Sequence, residues 1–214
     1  KTDMEAKGSR GISVFIVPAG TPGLEVGKPE QKMSNRSSYS CPLTFTDVRI
    51  PKENLLGELN RGFPLFMKCV DDGRVAISAV AVGMAQGVLE RAAKYSKERV
   101  TFGKPIASRQ AIKFKLADME IRLQTARAQL FYNAQLIDKG IYDGMLGSVT
   151  KTCVSEMVFD VANQALQIFG GYGYSREYPV EKLLRDARIF SLFEGTNEIQ
   201  RMIIGGTLVP KKRN

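Results

Sequence analysis

Apolar residues recur every three or four positions over one long stretch of this chain, residues 108–139. The series is Ile112, Leu116, Met119, Leu123, Ala126, Leu130, Ala134 and Ile137. Because an α-helix has 3.6 residues per turn, this spacing puts the whole series on one face of a single long helix. Such a stripe is stable only when other helices cover it. The pattern therefore predicts a bundle of packed helices.

Further helices are predicted before and after this one, because the same spacing continues along the chain. Their predicted spans are 75–95, 143–169, 180–186 and 198–205. Glycines at Gly140 and Gly170 are typical helix stops. Asp71 and Asp72 favour a helix start just before Arg74, since acidic residues cap and stabilise helix N termini.

The chain changes character near residue 58. Before that point, short β-rich runs alternate with Gly, Pro and Ser, which predicts short strands. The candidate strands are 12–17, Leu24–Val26, Leu43–Phe45 and 48–50. A few short strands make too small a core to fold alone. We therefore expect an α+β fold that is mostly α, with part of a β-domain in residues 1–58 and a helical domain in residues 59–214.

Residue usage excludes several kinds of chemistry. The sequence has no histidine, so Ser-His or Cys-His nucleophilic catalysis and a His-ligated zinc site are excluded within the chain. Cys41, Cys69 and Cys153 lie too far apart for a CxxC pattern or a disulfide framework, so no metal site is expected. Acid–base chemistry must then fall to carboxylate, Lys or Tyr side chains.

The charge pattern favours neither nucleic acid nor membrane. The net charge of +9 is dispersed, and the only basic run, Lys211-Lys212-Arg213, is interpreted as a solvated end. No apolar run approaches the roughly 20 residues of a spanning helix, so no membrane span is expected. The chain opens at Lys1 with a loop-like sequence, which suggests a fragment of a longer protein.

Glu194 is the strongest candidate for a catalytic base. It lies between Phe193 and the pair Gly195-Thr196. The apolar residues before it would partly desolvate the carboxylate and so strengthen it as a base. Gly195 lets the backbone come close to a ligand. The alternative interpretation is a helix start, with Thr196 as the N-cap and Gln200 in the first turn.

Two other segments suggest cofactor contacts, each with a structural alternative. In residues 99–105, Arg99 suits a phosphate and Phe102 suits a ring, although a basic helix end followed by a turn explains the same residues. Residues 167–174 are rich in Gly but follow a helix instead of a strand, so they are not a Rossmann motif. Their backbone either caps the helix or meets an anionic group.

Taken in order, these segments resemble the acyl-CoA dehydrogenase family. The matching stretches are DDGR (71–74), RVTFGKP (99–105), QIFGGYGY (167–174), YPVEKLLRDARI (178–189) and FEGTNEIQR (193–201), with RGISVFIV (10–17), GTPGLEVGKPEQKM (20–33) and VRIPKENLLGE (48–58) upstream. Each motif alone is weak, whereas the ordered set covers nearly the whole chain and is specific.

The resemblance implies an architecture and a reaction. Residues 1–58 would be the end of the family's middle β-domain, and residues 59–214 its antiparallel four-helix bundle. The implied activity is FAD-dependent α,β-dehydrogenation of an acyl-CoA to the trans-2-enoyl-CoA, as in fatty-acid β-oxidation or branched-chain amino-acid breakdown. Its implied partners are an electron-transfer flavoprotein and further copies in a homotetramer, in the cytoplasm of a prokaryote or the mitochondrial matrix. Because the rest of the flavin cradle is absent, the isolated chain is expected to bind FAD poorly and to be inactive alone.

The resemblance also assigns roles to individual residues. Glu194 matches the base that removes the α-proton. The positions that match FAD contacts are Arg99, Phe102, Gln110, Gln167, Gly171, Thr196 and Glu198, and Gln167 and Gly171 would reach a neighbouring subunit's cofactor. The positions that match substrate contacts are Asp71, Arg74 and Gly195.

Two departures and two alternatives stay open. Some members carry the base on the first bundle helix, at the position of Gly73, and this chain does not fit that subgroup. Phe193 replaces a Tyr found in many members, which bears on substrate fit. An acyl-CoA oxidase is the nearest alternative function, and a non-catalytic helical assembly module is the alternative from a different class.

Overall fold

The computed structural model describes residues 1–209, which excludes the basic run at Lys211-Lys212-Arg213. Within the described part, the helices are α1 (Gly62–Glu98), α2 (Gln110–Asp138), α3 (Gly144–Phe169), α4 (Val180–Ala187) and α5 (Asn197–Leu208). The fold class, α+β and mostly α, is thereby confirmed. The chain divides into two compact units, one ending at Asp71 and the other beginning at Asp72, inside α1. The domain division at 58/59 stays a prediction.

The first unit holds two small antiparallel ladders. β1 (Val14–Phe15) pairs with β4 (Leu55–Leu56), and β2 (Leu24–Val26) pairs with β3 (Leu43–Phe45). The predictions for β2 and β3 are confirmed in their bounds. All three β3 side chains are exposed, so the short hairpin contributes little core.

Two strand predictions in the first unit are wrong. The run 12–17 yields only the two residues of β1, and 48–50 forms no strand in the described chain. Both predictions fail because Ile16 forms its hydrogen bonds with Asn54. Its N–H donates to the Asn54 carbonyl at 2.9 Å, and the Asn54 side chain donates back to the Ile16 carbonyl at 2.8 Å. The stretch that pairs with β1 therefore follows Pro51 instead of preceding it.

The core of the second unit is the interior of the helical bundle. From α2 it takes the central part of the predicted stripe: Met119, Leu123, Ala126 and Leu130. α3 packs along α2 and buries Val154, Val158 and Val161. Toward the end of α2, buried Asn133 replaces the expected Ala134, and its amide donates to the Thr150 hydroxyl at 3.3 Å. The stripe therefore packs as predicted over its central turns.

The prediction for the start of α1 is wrong by about three turns. The helix begins at Gly62, so Asp71, Asp72 and Gly73 lie inside it instead of opening it. Pro64 falls in the first turn, where its missing N–H costs no helical hydrogen bond. Acidic residues followed by glycine resemble the sequence of a helix start. Nothing in their local sequence reveals that the helix has already begun before them.

The predicted helix ends are confirmed, since α2 ends at Asp138 and α3 ends at Phe169. Gly140 takes a left-handed φ of 73°, and the Ile141 N–H then donates to the Leu136 carbonyl at 2.9 Å. The Asp143 side chain caps α3 by accepting from the N–H groups of Met145 and Leu146. These devices fix the short connection that turns the chain from α2 back into α3.

One property of α1 departs from the sequence expectation on membranes. By length and composition alone, Gly62–Glu98 is able to cross a membrane, and 39% of its apolar window is buried in the structure. Core helices of soluble proteins meet the same criterion, so the helix does not by itself indicate a membrane span.

Candidate active site

Glu194 sits in a tight turn between two helical segments. A 3-10 turn at Arg188–Ser191 comes before it, and α5 begins three residues after it. Glu194 and Gly195 both adopt left-handed backbone conformations, with φ of 53° and 83°. Thr196 is the N-cap of α5, and its hydroxyl accepts from the Ile199 N–H at 3.4 Å. The helix-start interpretation of this segment is thus confirmed, and the turn leaves the Glu194 side chain half-buried.

Apolar side chains just before Glu194 pack against each other and against the bundle core. Phe190 is buried and meets the Phe193 ring edge-on, with ring centroids 5.3 Å apart. Ile189 and Phe193 pack against the bundle core. These contacts anchor the segment before Glu194 to the bundle core.

Gly73 on α1 faces the Glu194 carboxylate. A Cβ atom at Gly73 would lie 2.9 Å from Oε2 and 3.3 Å from Cδ of Glu194. Contacts that short force a neighbour to move, so only glycine leaves the carboxylate where it stands. A glycine inside a helix lowers stability by about 1 kcal/mol relative to alanine. The space that Gly73 leaves for the Glu194 carboxylate explains why a glycine stands here despite that loss.

A buried polar network underlies the turn. Lys151 of α3 is 1% exposed, and its ammonium donates to the Gly195 carbonyl and to the Asn197 Oδ1, both at 2.8 Å. Gln200 is fully buried, and its amide donates to the carbonyls of Glu194 at 3.1 Å and Gly195 at 2.9 Å. Two side chains from different helices thus hold the backbone that carries the candidate base.

Sequence reasoning did not single out Lys151 or Asn197, and it placed Gln200 in the first turn of α5 without a role at the site. One signal was available: Lys151 precedes Val154 by three residues and Val158 by seven, so it lies on the buried stripe of α3. A charged residue on a buried stripe needs a partner, and the pattern alone does not say which one.

The pKa of Lys151 is lowered to about 8, first by burial and then by the positive charge of Arg74. The carboxylates of Glu198 and Glu194 act in the opposite direction. Burial therefore disfavours the charged form of Lys151, which nevertheless lies near the carboxylate of Glu194, the candidate base.

Of the predicted substrate contacts, the structure brings Arg74 next to Gly195. Arg74 is 3% exposed, and its Nη2 lies 4.0 Å from the point where a Gly195 Cβ would be. Asp71 belongs to the first unit, and its role stays a prediction. The buried cation beside the turn gives this end of the site a positive potential that suits an anionic ligand.

Thr196 and Glu198 begin α5 beside the turn. Glu198 is exposed, and hydrogen bonds from its own backbone N–H and from the Thr196 hydroxyl lower the pKa of its carboxyl group. Their predicted contacts with a cofactor stay predictions.

A second concave site lies where α1 meets the end of α3. It is a cleft of about 490 Å³ lined by Tyr95, Arg99, Thr101, Ile106, Ile168, Phe169, Gly170, Gly171 and Tyr172. The Arg99 guanidinium lies 5.2 Å from the Tyr172 ring centroid, and Gly170 adopts a φ of 61°. A cation, aromatic rings and glycine backbone in one cleft fit a phosphate-bearing ligand with a planar ring system, such as a flavin dinucleotide.

The remaining predicted cofactor contacts lie outside the lining of this cleft. Phe102 is at the tip of the hairpin of β5 (Val100–Thr101) and β6 (Lys104–Pro105), with a φ of 53° and 94% of its surface exposed. Gln110 begins α2, and Gln167 lies in the last turn of α3, both exposed. An exposed aromatic on a strained turn suits a surface that stacks on a ring. All three roles stay predictions.

Residues 1–209 contain no group of three or more His, Cys, Asp or Glu side chains close enough to hold a metal ion.

Comparison with known proteins identifies the family of the chain. The family model described as the acyl-CoA dehydrogenase C-terminal domain matches residues 60–209. The short-chain specific acyl-CoA dehydrogenase of Megasphaera elsdenii is 44% identical over 205 residues, which cover 96% of this chain and 54% of that protein. Subunit CarC of the caffeyl-CoA reductase-Etf complex of Acetobacterium woodii is 44% identical and aligns with 99% of this chain and 55% of its own length.

Solved structures give the same result. The three-dimensional structure of butyryl-CoA dehydrogenase from Megasphaera elsdenii matches with a TM-score of 0.92 and 44% identity, over 95% of this chain and 53% of that one. The chain thus spans about half the length of the proteins it matches. The resemblance first drawn from the ordered motifs is confirmed, and the chain belongs to the acyl-CoA dehydrogenase family.

Proposed function

We propose that the protein carrying this chain is an FAD-dependent acyl-CoA dehydrogenase in which Glu194 removes the α-proton of an acyl-CoA thioester. The observation that carries the proposal is the geometry around that carboxylate. A left-handed turn presents it, Gly73 leaves room for it, and packed aromatic rings anchor the residues just before it. Membership of the acyl-CoA dehydrogenase family supports the role of Glu194 as the base, because its position matches the base of that family.

The chain's own residues account for much of the proton abstraction. An α-proton becomes acidic when hydrogen bonds polarise the thioester carbonyl. We assign the Glu194 backbone N–H to this task, because no hydrogen-bond acceptor for it is found among residues 1–209. The carboxylate of the same residue then takes the proton, so one turn positions both groups.

FAD, when bound, supplies the acceptor for the hydride that leaves the β-carbon. We assign its binding to Arg99, Phe102, Gln110, Gln167, Gly171, Thr196 and Glu198. Arg99 has the best structural support, since it lines the aromatic cleft together with Gly171. For the substrate, Asp71 and Arg74 are assigned to the CoA portion and Gly195 to the thioester.

We further propose that electrons pass to an electron-transfer flavoprotein and that the protein assembles as a homotetramer. The first proposal is supported by a relative named as a subunit of an Etf complex. The second agrees with the exposed apolar side chains of α2, among them Phe114, Ile121 and Phe131.

The proposed function is tested by mixing the FAD-loaded protein with a short-chain acyl-CoA without oxygen. We expect loss of the flavin absorbance and formation of the 2-enoyl-CoA, whereas CoA alone or the free acid has no effect. Rapid peroxide formation in air would indicate an oxidase instead. Absence of flavin reduction with acyl-CoAs of every length tested would refute the proposal and favour the assembly module.

Replacement of Gly73 by Ala should separate stability from activity. In a helix interior, Ala is favoured over Gly by about 1 kcal/mol, so the free energy of unfolding should rise or stay level. The new methyl group would displace the Glu194 carboxylate, and we expect flavin reduction to slow by about tenfold. Urea unfolding and rapid-mixing absorbance measure the two quantities.

The matched control is Gly83→Ala on the same helix, where a Cβ meets nothing within 4 Å. It should gain similar stability and keep the wild-type rate. Equal rates for the two variants would contradict the geometry assigned to Gly73 and Glu194.

A further inference from the structure

Lys151 is a buried charge whose hydrogen-bond acceptors are neutral. Its ammonium bonds the Gly195 carbonyl and the Asn197 side-chain oxygen, each at 2.8 Å. Lysine is almost never fully buried without a partner, and burying an ammonium costs several kcal/mol unless its bonds are very good. A similarly sized apolar residue would often stabilise such a position as well or better. Stability alone is therefore a poor explanation for a lysine here.

The two acceptors of Lys151 lie on either side of Thr196, the cap of α5. Asn197 Oδ1 also accepts from the Ser155 hydroxyl at 3.1 Å, and Asn197 Nδ2 donates to Glu156 Oε1 at 3.4 Å. Three side chains of α3 thus converge on the point where the turn enters α5. The Gly195 carbonyl is shared with Gln200, so that Lys151 and Gln200 hold one oxygen from two helices.

The conformation that these bonds hold is an unfavourable one. A non-glycine residue with positive φ costs roughly 1–2 kcal/mol, and Glu194 is such a residue. Strained residues persist only when surrounding contacts over-determine them. Lys151 donates to the carbonyl of Gly195, which is the residue directly after Glu194.

We propose that Lys151 is a positioning residue that fixes the turn presenting the Glu194 carboxylate, by holding the Gly195 carbonyl and the Asn197 side chain. It touches neither substrate nor cofactor and acts through the backbone. This inference rests on the proposed role of Glu194, while the hold on the turn is measurable without any reaction.

The charge of Lys151 gives the positioning a pH dependence. The charged groups that act on it are Arg74 from α1, Glu194 in the turn and Glu198 from α5. The pKa of Lys151 is lowered to about 8, so the ammonium is present below that pH and lost above it. A neutral amine makes weaker hydrogen bonds than an ammonium. The hold on the turn should therefore weaken as the pH rises through 8.

The first test uses amide hydrogen exchange on the protein without acyl-CoA. In Lys151→Met, we expect peptides covering residues 194–200 to exchange about tenfold faster, with α2 and the rest of α3 unchanged. The control is Lys115→Met, which removes a half-buried ammonium that bonds Gln164 of α3 at 2.8 Å, away from the turn. It should leave peptides 194–200 unchanged. Unchanged exchange in Lys151→Met, or an equal rise throughout the bundle, would overturn the proposal.

The second test measures flavin reduction by acyl-CoA against pH. Lys151→Met should reduce its flavin about tenfold more slowly at pH 7, with the Kd for acyl-CoA changed by less than about threefold. Wild type and Lys115→Met should lose rate above pH 8, and Lys151→Met should lack that decline. A changed Kd with an unchanged rate, or the same decline in all three proteins, would contradict the proposal. If the wild type itself is not reduced, the proposed function fails, and the exchange result still decides the role of Lys151.

Discussion

Glu194→Gln is expected to slow flavin reduction by acyl-CoA about 10⁴-fold, which is the upper end of the range for a general base. Glutamine keeps the size of the side chain and its fit against Gly73. Its amide oxygen does not take up a proton at neutral pH, so the α-proton has no base to receive it. The backbone N–H assigned to the thioester carbonyl is unaffected. Anaerobic rapid mixing, followed at the flavin absorbance, measures the rate.

Binding separates loss of the base from loss of the site. Glu194→Gln should retain FAD and bind acyl-CoA with a Kd within about threefold of wild type. Losing an interaction that is made only in the transition state lowers the rate and leaves ground-state binding unchanged. Glu120→Gln on the exposed side of α2 is the matched control and should react like wild type. A Glu194→Gln protein that is reduced at the wild-type rate would show that another group is the base.

The helices were predictable because their signals are local. The stripe of α2 is a matter of spacing alone, and its central residues Met119, Leu123 and Ala126 are fully buried. Gly140 ends α2 for a backbone reason that acts within one turn. Where a local signal is ambiguous, prediction failed: Asp71 and Gly73 imitate a helix start from inside α1.

The site was predictable only in part, for a related reason. Glu194 stood out through its neighbours in sequence, and the ordered motifs gave it a role. Lys151 lies 44 residues before the carbonyl that it holds, and no local pattern links the two. Gln200 was placed in the first turn of α5 without a function, because its bonds to carbonyls five and six residues earlier require the left-handed turn at Glu194 and Gly195, which the sequence does not reveal. The support from Lys151 is tertiary, and it appears only once α3 packs against the turn.

Gly195→Ala is expected to slow flavin reduction about 10²-fold, because a shift of about 1 Å in a reacting group has that effect. Two physical effects combine at this position. Gly195 has a φ of 83°, where alanine is strained by about 1–2 kcal/mol. An added Cβ would also lie 2.7 Å from the Gln200 amide nitrogen, the atom that bonds the carbonyls of Glu194 and Gly195. The turn must therefore change conformation, and the Glu194 carboxylate moves with it.

Stability should fall together with the rate in this variant, in contrast to Gly73→Ala. The control is Gly205→Ala in α5, where a Cβ meets nothing within 4 Å and the helix favours alanine. It should keep the wild-type rate and a free energy of unfolding at or above that of wild type. Combining Gly195→Ala with Gln200→Met tests the mechanism, since the methyl group acts by displacing the Gln200 amide. The double variant should then be little slower than Gly195→Ala alone, because two changes that break one interaction are not additive. Full additivity would mean that the methyl group acts through backbone strain and not through Gln200.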